Sequence, residues 1–118
     1  MIIIKLYVYK NCSTCKKAEK FLKEKGIDFT SLPIREMPPS IDELNQMLSH
    51  YDGDMKRLFN TSGQDYRALN MKEKLATLSK KEALALLSQN GNLVKRPFLL
   101  TPNKGLVGFK QDEWSSIN

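Results

Sequence analysis

The feature that most restricts the fold is a pair of cysteines between a short apolar run and a helical pattern. Residues 3–9 are rich in β-branched and aromatic side chains, which favours a buried strand. Residues 13–25 then carry apolar side chains at the i, i+3, i+4 spacing of an amphipathic helix, and Gly26 provides a stop signal. Cys12 and Cys15, the only cysteines of the chain, are therefore expected at a strand-to-helix junction.

The rest of the chain extends this start to a β-α-β, helices, β-β-α order. Residues 27–34 predict a second strand, so that the first three elements form a right-handed βαβ unit. Ser40 and Ser79 each begin a Ser-x-x-Glu capping box, which marks a helix start. Two short apolar runs around a turn at residues 101–105 predict a hairpin. The sequence thus predicts an α/β fold with a helical insertion at about residues 36–92.

Length and composition limit the class of protein further. A chain of 118 residues, 41% of them hydrophobic, is expected to form one domain over residues 1–118 with its own core. No apolar run approaches the roughly 18–20 residues that span a bilayer, and the apolar start is too short for a secretory signal. We therefore expect a cytoplasmic protein without a membrane partner.

The net charge of +6 is not sufficient by itself to predict a nucleic-acid site. The lysines alternate with acidic residues, as in residues 16–25, and no basic run reaches five residues. This pattern favours solvated helix faces, with a functional basic patch as the alternative. Direct binding of nucleic acid is therefore not predicted.

The spacing of the two cysteines indicates thiol chemistry. At the first turn of a helix, N–H groups without helical partners and the helix dipole both stabilise an anion, which favours the thiolate of Cys12. The thiolate is the form that attacks disulfides and other electrophiles. Cys15 lies one turn further along the same face, where it can close a disulfide. Cys12 is therefore predicted to be the attacking thiolate, and Cys15 the resolving thiol.

Three other interpretations of the cysteines remain open at this stage. Both cysteines could be inert core residues. A zinc site needs about four ligands, and the chain offers only His50 in addition, so no metal site is predicted. A structural disulfide conflicts with a reducing cytoplasm.

Lys95-Arg96-Pro97, before a predicted strand, is the second segment that suggests chemistry. The Arg96 guanidinium is a permanently charged fork suited to oxyanions, and the X-Pro bond is one of the few that can be cis. The alternative is a strand-edge proline beside an exposed arginine.

Several motifs, taken in order along the chain, resemble one known family. They are residues 9–18 around the cysteines, Pro38-Pro39-Ser40, residues 58–63 with residues 66–69, and Lys95-Arg96-Pro97. Together they resemble the ArsC/Spx family, which comprises glutaredoxin-linked arsenate reductases and Spx-type regulators. The resemblance implies a thioredoxin/glutaredoxin-like mixed sheet and a cis bond before Pro97, which would turn the backbone toward the cysteine pair.

The resemblance also implies an activity. Cys12 would attack arsenate or a disulfide, and Arg96 would hold the oxyanion. No bound cofactor is implied; the reductant would be glutathione with glutaredoxin, or thioredoxin. Asn60 stands where arsenate reductases have a second arginine, and Lys110 lies near the position of a third. Asn60, Arg96, Pro97 and Lys110 are accordingly the predicted substrate-binding residues.

The second cysteine supports an alternative function. Cys15 is similar to the second cysteine of Spx-type regulators, which use a C-x-x-C pair as an oxidation switch and bind the C-terminal domain of the RNA polymerase α subunit. Gly53 lies near the glycine that such regulators place at the polymerase surface, although a glycine after a helix is also an ordinary C-cap. The sequence therefore predicts an arsenate reductase-like thiol–disulfide oxidoreductase, with a redox-sensing regulator as the alternative.

Overall fold

The computed structural model describes residues 4–117 of the chain. The strands are β1, Lys5–Val8; β2, Thr30–Pro33; β3, Phe98–Leu100; and β4, Gly105–Val107. The helices are α1, Ser13–Glu24; α2, Ile41–His50; α3, Gln64–Ala68; α4, Met71–Lys74; α5, Lys80–Gln89; and α6, Gln111–Trp114. Two 3-10 turns occupy Met55–Leu58 and Gly91–Leu93. This order confirms the predicted β-α-β, helices, β-β-α arrangement.

The four strands form one mixed sheet in the order β2-β1-β3-β4. β1 pairs in parallel with β2, whereas β3 is antiparallel to both β1 and β4. The predicted hairpin is thus present, and the helical insertion leads from β2 on one side of β1 to β3 on the other. The α/β class with a mixed sheet is confirmed.

The first two strands are shorter than predicted, and hydrogen bonds explain both differences. The Tyr9 carbonyl accepts from the Cys12 amide at 3.0 Å, so the chain already turns toward α1 after Val8. The Ile27 amide donates to the Leu22 carbonyl at 3.0 Å and so closes the end of α1, and β2 begins only at Thr30. Residue 3, also predicted in the first strand, lies outside the described residues.

Alternation along the strands divides the core into two clusters on opposite faces of the sheet. Leu6 and Leu99 pack with Trp114 and the buried side of α1. Tyr7 and Phe98 face the helical insertion, where their rings pack edge to face with centroids 5.7 Å apart. Successive side chains of a strand point to opposite faces, so a short β1 contributes to both clusters. The strand that leads into the cysteine pair is therefore fixed on both sides.

Glu43 ties α2 to β1. The Ser40–Glu43 capping box is present in full, and the Glu43 carboxylate also accepts from Tyr7 Oη at 2.7 Å and from Lys5 Nζ at 3.0 Å. Burial raises the pKa of Glu43, but the hydrogen bonds from Ser40, Tyr7 and Lys5 outweigh this effect and lower it overall. The helix start and the central strand therefore share one charged group.

We expect Glu43→Gln to lower the free energy of unfolding by about 2 kcal/mol at neutral pH, because hydrogen bonds to a charged group are lost at a half-buried site. Urea denaturation measures this change. Glu82→Gln is the matched control, since Glu82 completes the same capping box at Ser79 and its pKa is lowered by that box alone. Its effect is expected to be clearly smaller.

The same cluster predicts a pH dependence. Since the folded pKa of Glu43 is lowered, its stabilisation is present above the unfolded value of about 4.3 and is lost as the pH falls. The difference between wild type and Glu43→Gln should therefore shrink in acid. A difference that stays constant down to acidic pH would contradict this account.

Candidate active site

Cys12 occupies the N-cap position of α1. Its backbone is extended, with φ −99° and ψ 114°, and its Sγ accepts a hydrogen bond from the Cys15 amide at 3.2 Å. The residue is partly accessible and its thiol is free. The expected arrangement, a main-chain amide of the first helical turn directed at the Cys12 sulfur, is present. Such a contact stabilises negative charge on sulfur.

Cys15 is the buried member of the pair. Its exposed fraction is 1%, and its thiol is also free. The pKa of Cys15 is raised to about 12, first by burial and then by the hydrogen bond with Cys12 and its charge. A backbone hydrogen bond from Tyr9 and the positive charge of Arg96 act in the opposite direction. Cys15 is therefore the member of the pair that stays protonated at neutral pH.

This asymmetry predicts selective alkylation. At neutral pH, iodoacetamide is expected to label Cys12 in the native protein and leave Cys15 unlabelled, because Cys15 is buried and its raised pKa keeps the thiol protonated. Peptide mass spectrometry after a timed reaction measures both sites. The denatured protein, in which both cysteines should react, is the control. Equal labelling of the two cysteines in the native protein would contradict the described geometry.

A polar cavity of about 250 Å³ is lined in part by Tyr9 and Arg96, two residues that also act on the pKa of Cys15. Its walls include Tyr9, Arg35, Asn60, Asp65, Asn92 and Arg96. Among the residues that the structure describes, Arg96 Nη1 is buried and has no hydrogen-bond partner. A buried donor on a charged guanidinium costs free energy unless an acceptor reaches it. Independently of that atom, the guanidinium groups of Arg35 and Arg96 in the cavity lining favour an anionic group.

Tyr9 holds the two arginines of this cavity in place. The guanidinium carbons of Arg96 and Arg35 lie 4.9 and 5.2 Å from the centre of its ring. The Tyr9 hydroxyl accepts from Asn11 Nδ2 at 3.3 Å and from Arg35 Nη1 at 3.2 Å. The pKa of Tyr9 is lowered, mainly by the hydrogen bond from Asn11 and further by the hydrogen bond and the charge of Arg35. One side chain thus links the strand before Cys12 to both guanidinium groups.

The predicted substrate-binding residues are brought together only in part. Asn60 and Arg96 line the same cavity. Pro97 is buried, and the Arg96–Pro97 bond is cis, as the resemblance implied. Lys110 is exposed at the start of α6 and is not among the residues lining this cavity. The roles assigned to all four remain predictions.

The sequence reasoning missed several residues of the cavity lining, of which Arg35 carries a positive charge. Arg35 lies two residues after the end of β2, much as Tyr9 and Cys12 lie one and four residues after the end of β1. Since β1 and β2 are parallel, their carboxyl ends meet at one edge of the sheet, and side chains after these ends tend to form sites. The position of a charged residue just after the second strand was therefore the available signal.

The described part of the chain contains neither a metal-ligand cluster nor a membrane-spanning helix. Over residues 4–117 there is no group of three or more His, Cys, Asp or Glu side chains placed to hold a metal ion. No helix within that range is both long and apolar enough to cross a bilayer.

The mixed sheet, the C-x-x-C pair at the start of α1 and the proline before β3 define a thioredoxin-like thiol protein. The chain belongs to the ArsC family, because the ArsC family model matches residues 7–117. The predicted family and the predicted thioredoxin-like fold are thereby confirmed.

Individual relatives fall into both branches of the predicted family. The chain is 45% identical over 108 residues to the uncharacterized protein YusI of Bacillus subtilis, covering 92% of each chain. It is 30% identical over 111 residues to the global transcriptional regulator Spx of Enterococcus faecalis, covering 94% of this chain and 83% of that protein. The crystal structure of a possible arsenate reductase from Streptococcus mutans superposes with a TM-score of 0.88 at 35% identity, covering 98% of this chain and 99% of the other.

Proposed function

We propose that the protein is a thiol–disulfide oxidoreductase in which Cys12 attacks the substrate and Cys15 resolves the product. The observation that carries this proposal is the placement of the two sulfurs. Cys12 is partly accessible and its Sγ accepts a hydrogen bond from the Cys15 amide at 3.2 Å, whereas Cys15 is buried. Only one sulfur can therefore meet an external electrophile, and the second is within reach of the first.

With a disulfide substrate, two exchange steps transfer two electrons. The Cys12 thiolate attacks one substrate sulfur, a mixed disulfide forms, and the other substrate sulfur leaves as a thiolate that takes a proton. Cys15 then loses its proton and attacks Cys12 Sγ, which forms the Cys12–Cys15 disulfide and releases the second substrate thiol. The substrate is reduced and the protein is oxidised. Glutathione with glutaredoxin, or thioredoxin, is the proposed reductant that restores the two thiols.

The order of the two steps follows from the environment of Cys15. While Cys12 is a thiolate, its hydrogen bond and its charge both raise the pKa of Cys15, after burial as the leading cause. Once Cys12 is in a mixed disulfide, it carries no charge and those two effects end. The Tyr9 backbone hydrogen bond and the Arg96 charge, which lower the pKa of Cys15, remain. The resolving thiol is thus activated by the first step.

Arsenate is the second substrate class within the same proposal. Cys12 Sγ would displace one arsenate oxygen as water and form a thiol–arsenic(V) adduct. Attack by Cys15, or by glutathione, on Cys12 Sγ then passes the electron pair of the S–As bond to arsenic and releases arsenite. Arg96, which lines the cavity, would hold the oxyanion through its guanidinium group. With Asn60 in place of an arginine, arsenate is expected to be the poorer substrate.

A turnover assay tests the proposed function. The protein is incubated with a thioredoxin or glutaredoxin system, and consumption of the nicotinamide reductant is followed after addition of a disulfide or of arsenate. We expect turnover with the disulfide and slower turnover with arsenate. Absence of turnover with both substrates and both reductant systems would refute the proposal.

A redox-sensing regulator is the second candidate, and the similarity to Spx of Enterococcus faecalis favours it. Gly53 follows α2, is exposed and has φ +82°, while its amide donates to the Leu48 carbonyl at 3.0 Å. This hydrogen bond explains the glycine as a helix C-cap, but its exposure also suits a contact surface. If the reduced protein, and not the oxidised protein, captures the C-terminal domain of the α subunit of RNA polymerase, the result would favour regulation.

A further inference from the structure

One face of α1 carries a row of three lysines in line with Cys12. The Lys16 amide donates to the Cys12 carbonyl at 3.2 Å, so Lys16 lies one helical turn beyond the N-cap. Lys20 and Lys23 follow four and then three residues further on, which keeps the three side chains on one face, and all three are exposed. This lysine row (Lys16, Lys20 and Lys23) therefore extends along the helix from the accessible cysteine.

The lysine row has no ion-pair partner in the described part of the chain. Over residues 4–117 one ion pair is formed, between Lys5 and Glu43, and it does not involve the row. Glu19, which precedes the second lysine of the row, accepts a hydrogen bond from Ser31 Oγ of β2 at 2.8 Å. Like charges one turn apart on a helix destabilise it slightly, and a partner with negative charge removes that cost. The row is thus open to an external acidic group.

A recess of about 430 Å³ adjoins the first lysine of the row. Lys16 lines it together with Lys10, which is also exposed. Its apolar part comes from Val8, Leu32 and Pro33, which lie at the ends of β1 and β2. An apolar centre with a charged rim is the usual composition of a protein–protein contact. The recess therefore suits an apolar side chain of a partner whose acidic groups meet the lysines.

The neighbouring strand indicates how such a partner is held. β2 is an edge strand of the sheet, but Pro33 has no N–H, and its carbonyl accepts from the Met37 amide at 2.8 Å. A further strand cannot pair at this residue. Recognition by side chains is therefore favoured over strand addition. A nucleic acid would use the lysines but would leave the apolar recess without a role, which favours a protein as the partner.

We infer that the lysine row and the recess form a docking surface for a protein that carries an exposed disulfide among acidic residues. The acidic groups would lie on the lysine row, and an apolar side chain next to the disulfide would enter the recess. The disulfide would then meet Cys12, which stands at the end of the row. The inference rests on the proposed function and specifies its substrate class, an acidic protein disulfide.

Single-turnover kinetics with three disulfide peptides test this surface. The peptides share one disulfide with a leucine beside it, and their flanking residues are glutamate, glutamine or lysine. At low salt, loss of protein thiols should be about tenfold faster with the glutamate peptide than with the glutamine peptide, and slowest with the lysine peptide. Raising the salt from about 0.01 M to about 1 M should bring the three rates within about twofold, because charges are then screened within about 3 Å.

Two triple variants separate the lysine row from the net charge. One removes the row, and the other removes three exposed lysines of the helical insertion. They are Lys16→Gln/Lys20→Gln/Lys23→Gln and Lys72→Gln/Lys74→Gln/Lys81→Gln. The ratio of the glutamate to the glutamine rate should fall to about one in the first variant and stay near the wild-type ratio in the second. The ratio is the readout, because a changed reactivity of Cys12 alters both rates alike.

The recess has a test of its own. Serine in place of the leucine of the glutamate peptide should lower the rate with wild type about threefold, because an apolar side chain no longer enters the recess. The same exchange should have this effect at high salt as well, since burial of an apolar group is not screened. Equal rates with the leucine and the serine peptide would overturn the role of the recess.

A binding arm distinguishes failure of this inference from failure of the proposed function. Fluorescence anisotropy measures the affinity of Cys12→Ser for the same peptides with serine in place of both cysteines, and for a short DNA duplex. The glutamate peptide should bind most tightly, and removal of the lysine row should abolish this preference. Equal affinities for the glutamate and glutamine peptides, equal losses in the two triple variants, or tighter binding of the DNA would overturn the inference. If no peptide oxidises wild type, the proposed function fails, while these affinities still decide whether the surface binds an acidic protein.

Discussion

Cys12→Ser is expected to lower the turnover of a disulfide substrate by more than about a thousandfold, because a serine hydroxyl does not ionise at neutral pH and is a poor nucleophile toward sulfur. The substitution changes one atom at the N-cap of α1. Serine is also a good N-cap residue, so the helix start and the stability should be retained. The turnover assay with a thiol reductant measures the loss, and urea denaturation confirms the fold.

Cys15→Ser is the matched variant, because it removes the second sulfur and leaves the first attack possible. We expect its initial rate with oxidised glutathione to stay within about threefold of wild type, while the mixed disulfide on Cys12 accumulates. Intact-mass measurement after quenching in acid detects this adduct. Wild type should show little of the adduct, since Cys15 displaces it.

Two outcomes would contradict the assigned roles. Residual turnover in Cys12→Ser comparable with wild type would mean that Cys12 is not the nucleophile. Equal accumulation of the mixed disulfide in wild type and Cys15→Ser would mean that Cys15 does not resolve it. The second result alone would leave a single-cysteine mechanism, in which glutathione releases the product.

The cysteine geometry was predictable from the sequence because it is local. A strand that ends at Val8 and a helix that begins at Ser13 fix where the intervening Cys12 must lie, and the helix period then places Cys15 on the same face. The capping boxes were predictable for the same reason, since donor and acceptor are three residues apart and both boxes are present.

The composition of the cavity was not predictable in the same way, because it depends on contacts between distant segments. Arg35 reaches Tyr9 only after β2 has paired with β1. Lys110 shows the converse: the resemblance places it near the substrate, but Phe109 packs on Phe21 of α1 with ring centroids 5.5 Å apart. The segment that carries Lys110 is therefore packed against α1, and Lys110 does not line the cavity.

Gly91 shows a similar dependence on a distant segment. In sequence, Asn90-Gly91 is a typical helix end, which predicts that the glycine is needed for its backbone angles. In the structure Gly91 is buried, and positive φ values occur at other glycines, such as Gly53 at +82°. A Cβ at Gly91 would instead clash with the Ile34 carbonyl oxygen and lie 2.6 Å from the Ile34 carbonyl carbon and 2.9 Å from Arg35 Cα. Gly91 is thus required by a close approach of two backbones.

Gly91→Ala is therefore expected to lower the free energy of unfolding by about 3 kcal/mol or more, because backbone atoms cannot rotate away as a side chain does. Urea denaturation measures the loss. Gly53→Ala is the matched control, since a Cβ there meets nothing within 4 Å and only the left-handed backbone opposes it, at a cost of about 1–2 kcal/mol. Equal losses in the two variants would contradict the close approach.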